Sequence, residues 1–163
     1  MKILVVSDTH GRLEHFRGVV KRVAPVDRIL HLGDVEGDED FLRGTVGCPI
    51  TFVAGNCDRL SREPWERVVE LGDRRIFMTH GHRYDVHRGL AHLNLAAEEA
   101  QADVVLYGHT HIPDLSYIGE RAFLNPGSLS LPRQEGHRPS FAILEIDAKG
   151  QCHFTISYAT GLQ

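Results

Sequence analysis

Lys2-Ile3-Leu4-Val5-Val6-Ser7-Asp8-Thr9-His10 is an unbroken apolar run that ends at once in a carboxylate and an imidazole. Apolar side chains without polar alternation mark a strand buried on both faces, as at the centre of a largely parallel sheet. The apolar stretch is too short for an export signal, because Asp8 and His10 interrupt it. Working outward, Leu13, Phe16, Val20 and Val23 recur at helical spacing and give one apolar face. Arg28–Leu32 and Ile50–Ala54 read as further strands, with a short helix over Asp40–Arg43 between them. Strands alternating with helices give an α/β core.

The second half changes character. Arg67–Leu71 and Arg74–Thr79 flank Gly72-Asp73, a hairpin signal. A helix is expected next, with Val86, Leu90, Leu93, Ala97 and Ala100 on one face, and then a strand over Asp103–Tyr107. From Asp114 onward the pattern is hairpin-like: Leu115–Ile118, Arg121–Leu124, Ser140–Asp147 and Cys152–Ser157, the last pair turned by Lys149-Gly150. The expectation is two sheets packed face to face and flanked by helices, in one domain over residues 1–163.

Composition narrows the class. The chain is 42% hydrophobic with a formal net charge of -4, which argues against general disorder and against a dedicated nucleic-acid-binding region. No apolar run approaches the roughly 20 residues that span a bilayer, so no membrane association is expected. Cys48, Cys57 and Cys152 form neither a CxxC pair nor a disulfide framework, which fits a reducing cytoplasm. Histidine is abundant, at 11 residues, and its placement is informative.

Five polar motifs each lie just past a strand: Asp8-Thr9-His10, Gly33-Asp34, Gly55-Asn56-Cys57-Asp58, His80-Gly81-His82 and Gly108-His109-Thr110-His111. In open α/β sheets the carboxyl ends of the strands form the ligand crevice. What would converge there is oxygen from Asp8, Asp34 and Asn56 and nitrogen from His10, His80, His109 and His111. Seven such donors without a thiolate pair exceed a closed structural zinc site. They suit two first-row divalent ions sharing ligands, and Asp34, mid-series, is the candidate bridge.

The ordered run D-x-H, GD, GN-x-D, HG and GH-x-H resembles the calcineurin-like metallophosphoesterases. The compact length, GNCD, HGH, GHTH and a late NPGS are most similar to the small YfcE-type phosphodiesterases. The resemblance implies a four-layer α/β/β/α sandwich with a dinuclear site at one edge. It assigns Asp8, His10, Asp34 and His111 to one ion, and Asp34, Asn56, His80 and His109 to the other. Manganese is the first expectation, with nickel, iron(II) or zinc as alternatives. Two such ions can generate a bridging hydroxide for in-line attack on a phosphoester and clamp its oxygens. Their four positive charges are only partly offset by Asp8 and Asp34, so an acidic chain can still take an anionic substrate.

Where wider members carry GNH, with a histidine thought to protonate the leaving group, Cys57 stands here. A thiol is a poor acid, which shifts that role to His82 or a metal-bound water and favours good leaving groups. The expectation is a phosphodiesterase acting on a small molecule, with a phosphomonoesterase as the alternative. Catalytic roles fall to Asp34, Asn56 and His82, and substrate contacts to Asn56, Cys57 and Arg59. A different class, a non-catalytic protein-binding scaffold like the metallophosphoesterase-like subunit of the retromer coat, shares the resemblance. A homo-oligomer is compatible with it too. His15 and His92 read as surface or packing residues, His31 as a core or supporting imidazole, Arg12 as solvated, and Cys48 and Cys152 as small core residues. Asn125-Pro126-Gly127-Ser128 reads as a type II turn that buttresses the site.

Overall fold

The run at residues 2–6 becomes β1 (Lys2–Val6) in a computed structural model that describes residues 1–37 and 39–159. Its side chains divide by parity, as the two-residue period of a strand requires. Ile3 and Val5 join the apolar layer between the two sheets, while Leu4 and Val6 join the layer under the first helix. All four are fully buried, at about 1.5–3 kcal/mol of transfer free energy each. This strand is therefore a fixed point, and Asp8 hangs from its end.

The chain continues through α1 (Leu13–Val23), β2 (Arg28–His31), α2 (Glu39–Thr45) and β3 (Ile50–Phe52). Then come β4 (Glu66–Leu71), β5 (Arg74–Thr79), α3 (Ala91–Glu99), β6 (Val104–Leu106), β7 (Pro113–Ile118), β8 (Arg121–Pro126), β9 (Ser140–Ile146) and β10 (Cys152–Tyr158). One sheet has the order β10-β9-β1-β2-β3 and the other β4-β5-β6-β8-β7. Both are mixed. Strands β1, β2 and β3 run parallel, as do β5, β6 and β8.

Four layers follow from the burial pattern. Leu30, Leu32, Ile76, Met78, Val104, Leu106 and Leu124 fill the space between the sheets. Phe16 and Val19 of α1 and Leu42 of α2 cover the first sheet through Ile29, Phe52 and Phe141. Leu93 and Ala97 of α3 cover the second through Phe77, Val105 and Phe123. The expected α/β/β/α sandwich is the fold.

Some local expectations change. The helix expected from Val86 starts only at Ala91, after a 3-10 turn over His82–Tyr84. Gly89 has φ 134°, a conformation closed to side-chain-bearing residues, and it breaks the apolar periodicity. Pro126 belongs to β8, where Asn125 and Pro126 pair with Asp114 and Pro113. The turn therefore begins at Gly127, later than the Asn-Pro-Gly-Ser pattern implies.

Register brings the strand ends level. Val6 lies opposite His31 and His31 opposite Phe52 in one sheet. Met78 lies opposite Leu106 and Leu106 opposite Leu124 in the other. The segments past these ends meet so closely that a Cβ on Gly33 would lie 2.6 Å from the Gly55 nitrogen, at a φ of 94°. In contrast, Gly44 in α2 has nothing within 4 Å. We expect Gly33→Ala to cost about 3 kcal/mol through overpacking and a disallowed φ. Gly44→Ala should raise stability by about 0.5–1 kcal/mol. Urea denaturation of the two variants checks both signs.

Candidate metal centre

Asp8 and Thr9 follow β1 and are fully buried. The backbone nitrogen of Asp8 donates to Gly33 O at 3.0 Å, and that of His10 to Asp34 O at 3.0 Å. These two bonds stitch the first motif to the second. Asp8, His10, Asp34 and His111 thereby offer one ligand atom each, all within 4.8 Å of one another. His111 Nε2 stands 3.0 Å from Asp8 Oδ1 and 3.4 Å from His10 Nε2.

His80 adjoins this group. Its Nε2 is 3.4 Å from Asp34 Oδ2 and 3.9 Å from Asp8 Oδ1. Asp34 Oδ2 also lies 3.9 Å from His10 Nε2, so a single carboxylate oxygen faces imidazoles from two different strand ends. The His109 ring packs edge-on against His80 with centroids 5.1 Å apart, and its backbone nitrogen donates to Asp8 Oδ2 at 3.2 Å. Asn56 is exposed, and its amide group reaches Cys57 Sγ at 3.4 Å. Of the seven expected ligands, four cluster, His80 and His109 flank them, and Asn56 points its amide elsewhere.

Hydrogen bonding on the far side of the rings sets which nitrogen faces the cavity. His80 Nδ1 lies 2.7 Å from Leu32 O, His111 Nδ1 2.7 Å from Leu131 O, and His10 Nδ1 2.5 Å from Glu36 Oε2. Carbonyl and carboxylate oxygens accept, so Nδ1 carries the hydrogen and Nε2 presents a lone pair inward. This is how metal-bound imidazoles are oriented. Asp8 Oδ1 and His80 Nε2 are both buried without a hydrogen-bond partner. Buried polar atoms left unpaired are costly, and here both point into one donor-lined space. The set fits divalent cations.

Electrostatics agree. Burial pushes the Asp8 and Asp34 carboxyls up, but for Asp8 the His111 and His80 rings, and for Asp34 the His80 ring and the Cys57 amide, outweigh it. Both stay below the usual carboxylate range and remain anionic. Burial pulls His80 down, yet Asp34 and Asp8 more than compensate and raise it. Burial, then His80 and His87, lower His109 to about 4.

Backbone strain concentrates at the same place. Asp8, His10, Asp34, His109 and His111 all have φ between 44° and 69°. Side-chain-bearing residues in this left-handed region cost of order 1–3 kcal/mol each and gather where structure serves function. Asp58, the last residue of the third motif, turns out to be a loop organiser. Its carboxylate accepts from the Glu36 and Gly55 nitrogens, at 2.8 Å each.

The supporting residues divide as follows. His31 is fully buried and bonds Thr9 Oγ1 at 3.1 Å and the Gly33 nitrogen at 3.2 Å, a supporting imidazole as expected. Asn125 donates to Gly108 O, and Ser128 and Ser130 donate to Asp8 O, so this segment does buttress the centre. His15 packs through Nδ1 on Leu129 O, while His92, Arg12 and Arg59 are exposed. Cys48 and Cys152 are half-buried against the apolar layers. Sequence reasoning missed Glu36, which orients His10, and His87, whose ring sits 4.8 Å from that of His109. No spacing rule marks either residue, because each is fixed by a loop path.

Comparison with known proteins follows the same line. Residues 1–149 match the family described as calcineurin-like phosphoesterase superfamily domain. The phosphodiesterase YfcE of Escherichia coli K12 is 32% identical over 172 residues, covering 90% of this chain and 89% of its own. A conserved protein of Streptococcus pneumoniae TIGR4, described as a predicted phosphoesterase, superposes with a TM-score of 0.80 at 33% identity, covering 96% and 97% of the two chains. Vps29 of Entamoeba histolytica, solved with zinc, has a TM-score of 0.76 at 21% identity, covering 98% of this chain and 100% of its own, and shares the fold.

His31 provides a test of the centre's foundations. Burial, against the opposing pull of Asp8, lowers its pKa from 6.5 to about 4. The unfolded chain takes up the proton near pH 6.5 and the folded chain only near 4. The stabilisation from neutral burial is therefore complete above pH 6.5 and is lost as pH falls from 6.5 to about 4, on the order of 3 kcal/mol. Urea midpoints measured across that window should fall more steeply in the unmodified protein than in His31→Gln. Parallel slopes would contradict the assignment.

Proposed function

This chain belongs to the calcineurin-like phosphoesterase superfamily, and on that premise we propose that it is a two-metal phosphoester hydrolase preferring diesters to monoesters. The observation that carries the reading is Asp34, whose Oδ2 stands between His80 Nε2 at 3.4 Å and His10 Nε2 at 3.9 Å. One carboxylate oxygen between two inward lone pairs supports a bridging role and two ions. In this reading Asp8, His10, Asp34 and His111 hold one, and Asp34, Asn56, His80 and His109 hold the other. Asn56 would first turn its amide from Cys57 toward the cavity. When bound, the ions supply Lewis acidity toward the phosphoryl oxygens and the attacking water. Oxygen and imidazole donors without thiolate suit manganese, with nickel, iron(II) or zinc also accommodated.

The protein's own groups set the remaining chemistry. Cys57, whose backbone nitrogen donates to Asp34 Oδ1, lines a cleft with Glu36 and Arg59, and in this reading Asn56, Cys57 and Arg59 would meet the substrate. The Cys57 thiol is pushed up to about 12 by burial and then by the Asp34 carboxylate. His82 is lowered by burial and then by His80. At neutral pH the thiol holds its proton too tightly and the His82 imidazole is largely unprotonated, so neither side chain is suited to protonate the leaving oxygen, which favours good leaving groups. The relative named YfcE phosphodiesterase supports the diester preference.

No helix among the described residues is long and apolar enough to cross a membrane. Three free cysteines accord with the cytoplasm as the proposed location. Vps29 has the same fold and has been solved with zinc, so metal binding alone does not separate a hydrolase from a scaffold. Turnover does.

With manganese-loaded protein, Asp34→Asn should lose at least about 100-fold in kcat/KM together with bound metal, measured by elemental analysis, of the size that loss of key electrostatic groups produces. His92→Ala should match the unmodified protein. Full turnover by Asp34→Asn would sink the bridging role. Across a series of aryl phosphodiesters, kcat should fall steeply as the leaving phenol becomes more basic. A flat series would mean that a general acid operates.

A further inference from the structure

Trp65 is the sole tryptophan of the chain, and 43% of its surface is exposed. Exposure alone does not mark a site, since Phe41 and Tyr117 are exposed as well. What distinguishes Trp65 is where it is held. The Ala54 nitrogen, two residues past β3 and just before the Gly55–Asp58 motif, donates to Pro64 O at 2.9 Å. The hydroxyl of Thr79, the residue before His80, donates to Trp65 O at 3.2 Å. Tyr84, in the 3-10 turn that opens with His82, donates to the Glu66 carboxylate at 2.5 Å. Trp65 and its two neighbours are thus tied to residues that adjoin two of the five motifs of the centre.

Its ring continues that connection. Trp65 meets the His82 ring at a centroid distance of 5.3 Å and an interplanar angle of 64°. His82 in turn lies 5.5 Å from His80 and 6.0 Å from His109. Two ring-to-ring steps separate the exposed indole from an imidazole whose Nε2 faces Asp34. The indole also contributes little to the apolar layers, so core packing does not account for it.

We propose that Trp65 is a stacking platform for a planar aromatic group on the substrate, held two ring contacts away from the metal centre. The inference rests on the phosphoesterase reading and names its substrate class: phosphoesters that carry a planar ring, as nucleotides do. An aromatic face binds every base with little sequence preference, and such stacking changes affinity by roughly ten-fold or more per ring. His82 meets the indole in a T-shaped contact that helps to fix the ring. The role is binding, so it acts on KM and leaves the chemical step alone.

The single tryptophan makes the test direct. Manganese-loaded protein is titrated with AMP, with ribose 5-phosphate and with inorganic phosphate while the indole fluorescence is followed. AMP should quench it saturably, and the two ring-free phosphates should leave it unchanged at concentrations where they inhibit turnover. For bis(p-nitrophenyl) phosphate, Trp65→Ala should raise KM about ten-fold with kcat within two-fold, and Trp65→Phe should restore most of the loss. Equal quenching by AMP and ribose 5-phosphate, or an unmoved KM in a folded, active Trp65→Ala, overturns the platform. Absence of turnover in the unmodified protein with AMP quenching intact overturns the hydrolase reading while supporting the platform.

Discussion

Two carboxylates, Asp8 and Asp34, are buried within one small space at the edge of the sandwich. Like charges confined at this distance repel, and in a low-dielectric setting neither can rely on water for relief. Asp8 Oδ1 and His80 Nε2, both in this space, lack hydrogen-bond partners. A cavity of anions and inward lone pairs is a poor arrangement for an apoprotein and a good one for cations. Most of what is unusual in the structure maintains this arrangement.

Maintaining it requires backbone that most sequences avoid. Asp8, His10, Asp34, His109 and His111, the donors past the strand ends, all adopt left-handed conformations. Glycine makes the close approach feasible, since a Cβ on Gly55 would fall 2.1 Å from Asp34 Oδ1 and one on Gly108 2.1 Å from Ser7 Oγ. The strain is held by a rigid foundation of four fully buried residues in β1 and by parallel neighbours whose ends lie level. Hydrogen bonds from Asn125, Ser128 and Ser130 lock the loops from behind. Such over-determination is the condition under which strained backbone persists.

The rim is built differently from the floor. Floor residues are buried or half-buried, acidic or imidazole, and the His10, His80 and His111 rings are fixed through far-side hydrogen bonds. The rim carries Cys57, Arg59, His82, His87 and Trp65, which are half-buried or exposed. Superfamily membership therefore speaks mostly to the floor, whereas the proposed selectivity among phosphoesters would fall to the rim.

Much of this was legible in the amino-acid order. Continuous apolar runs named the central strands because a strand covered on both faces has no polar side to show. Short Gly, Asp and His motifs past those runs named the candidate donors because parallel strands deliver their ends to one edge. What the order left open depends on contacts between residues distant along the chain. Glu36 orients His10 only because one loop folds over another, and α3 starts late because Gly89 adopts φ 134°. The position of Trp65 was equally silent, fixed by hydrogen bonds reaching to Ala54 and Thr79. Local periodicity and residue chemistry thus determined the layers and the donor set. Tertiary packing alone decided which nitrogen faces inward, which donors meet and what lines the rim, because those are distances set by register and loop path.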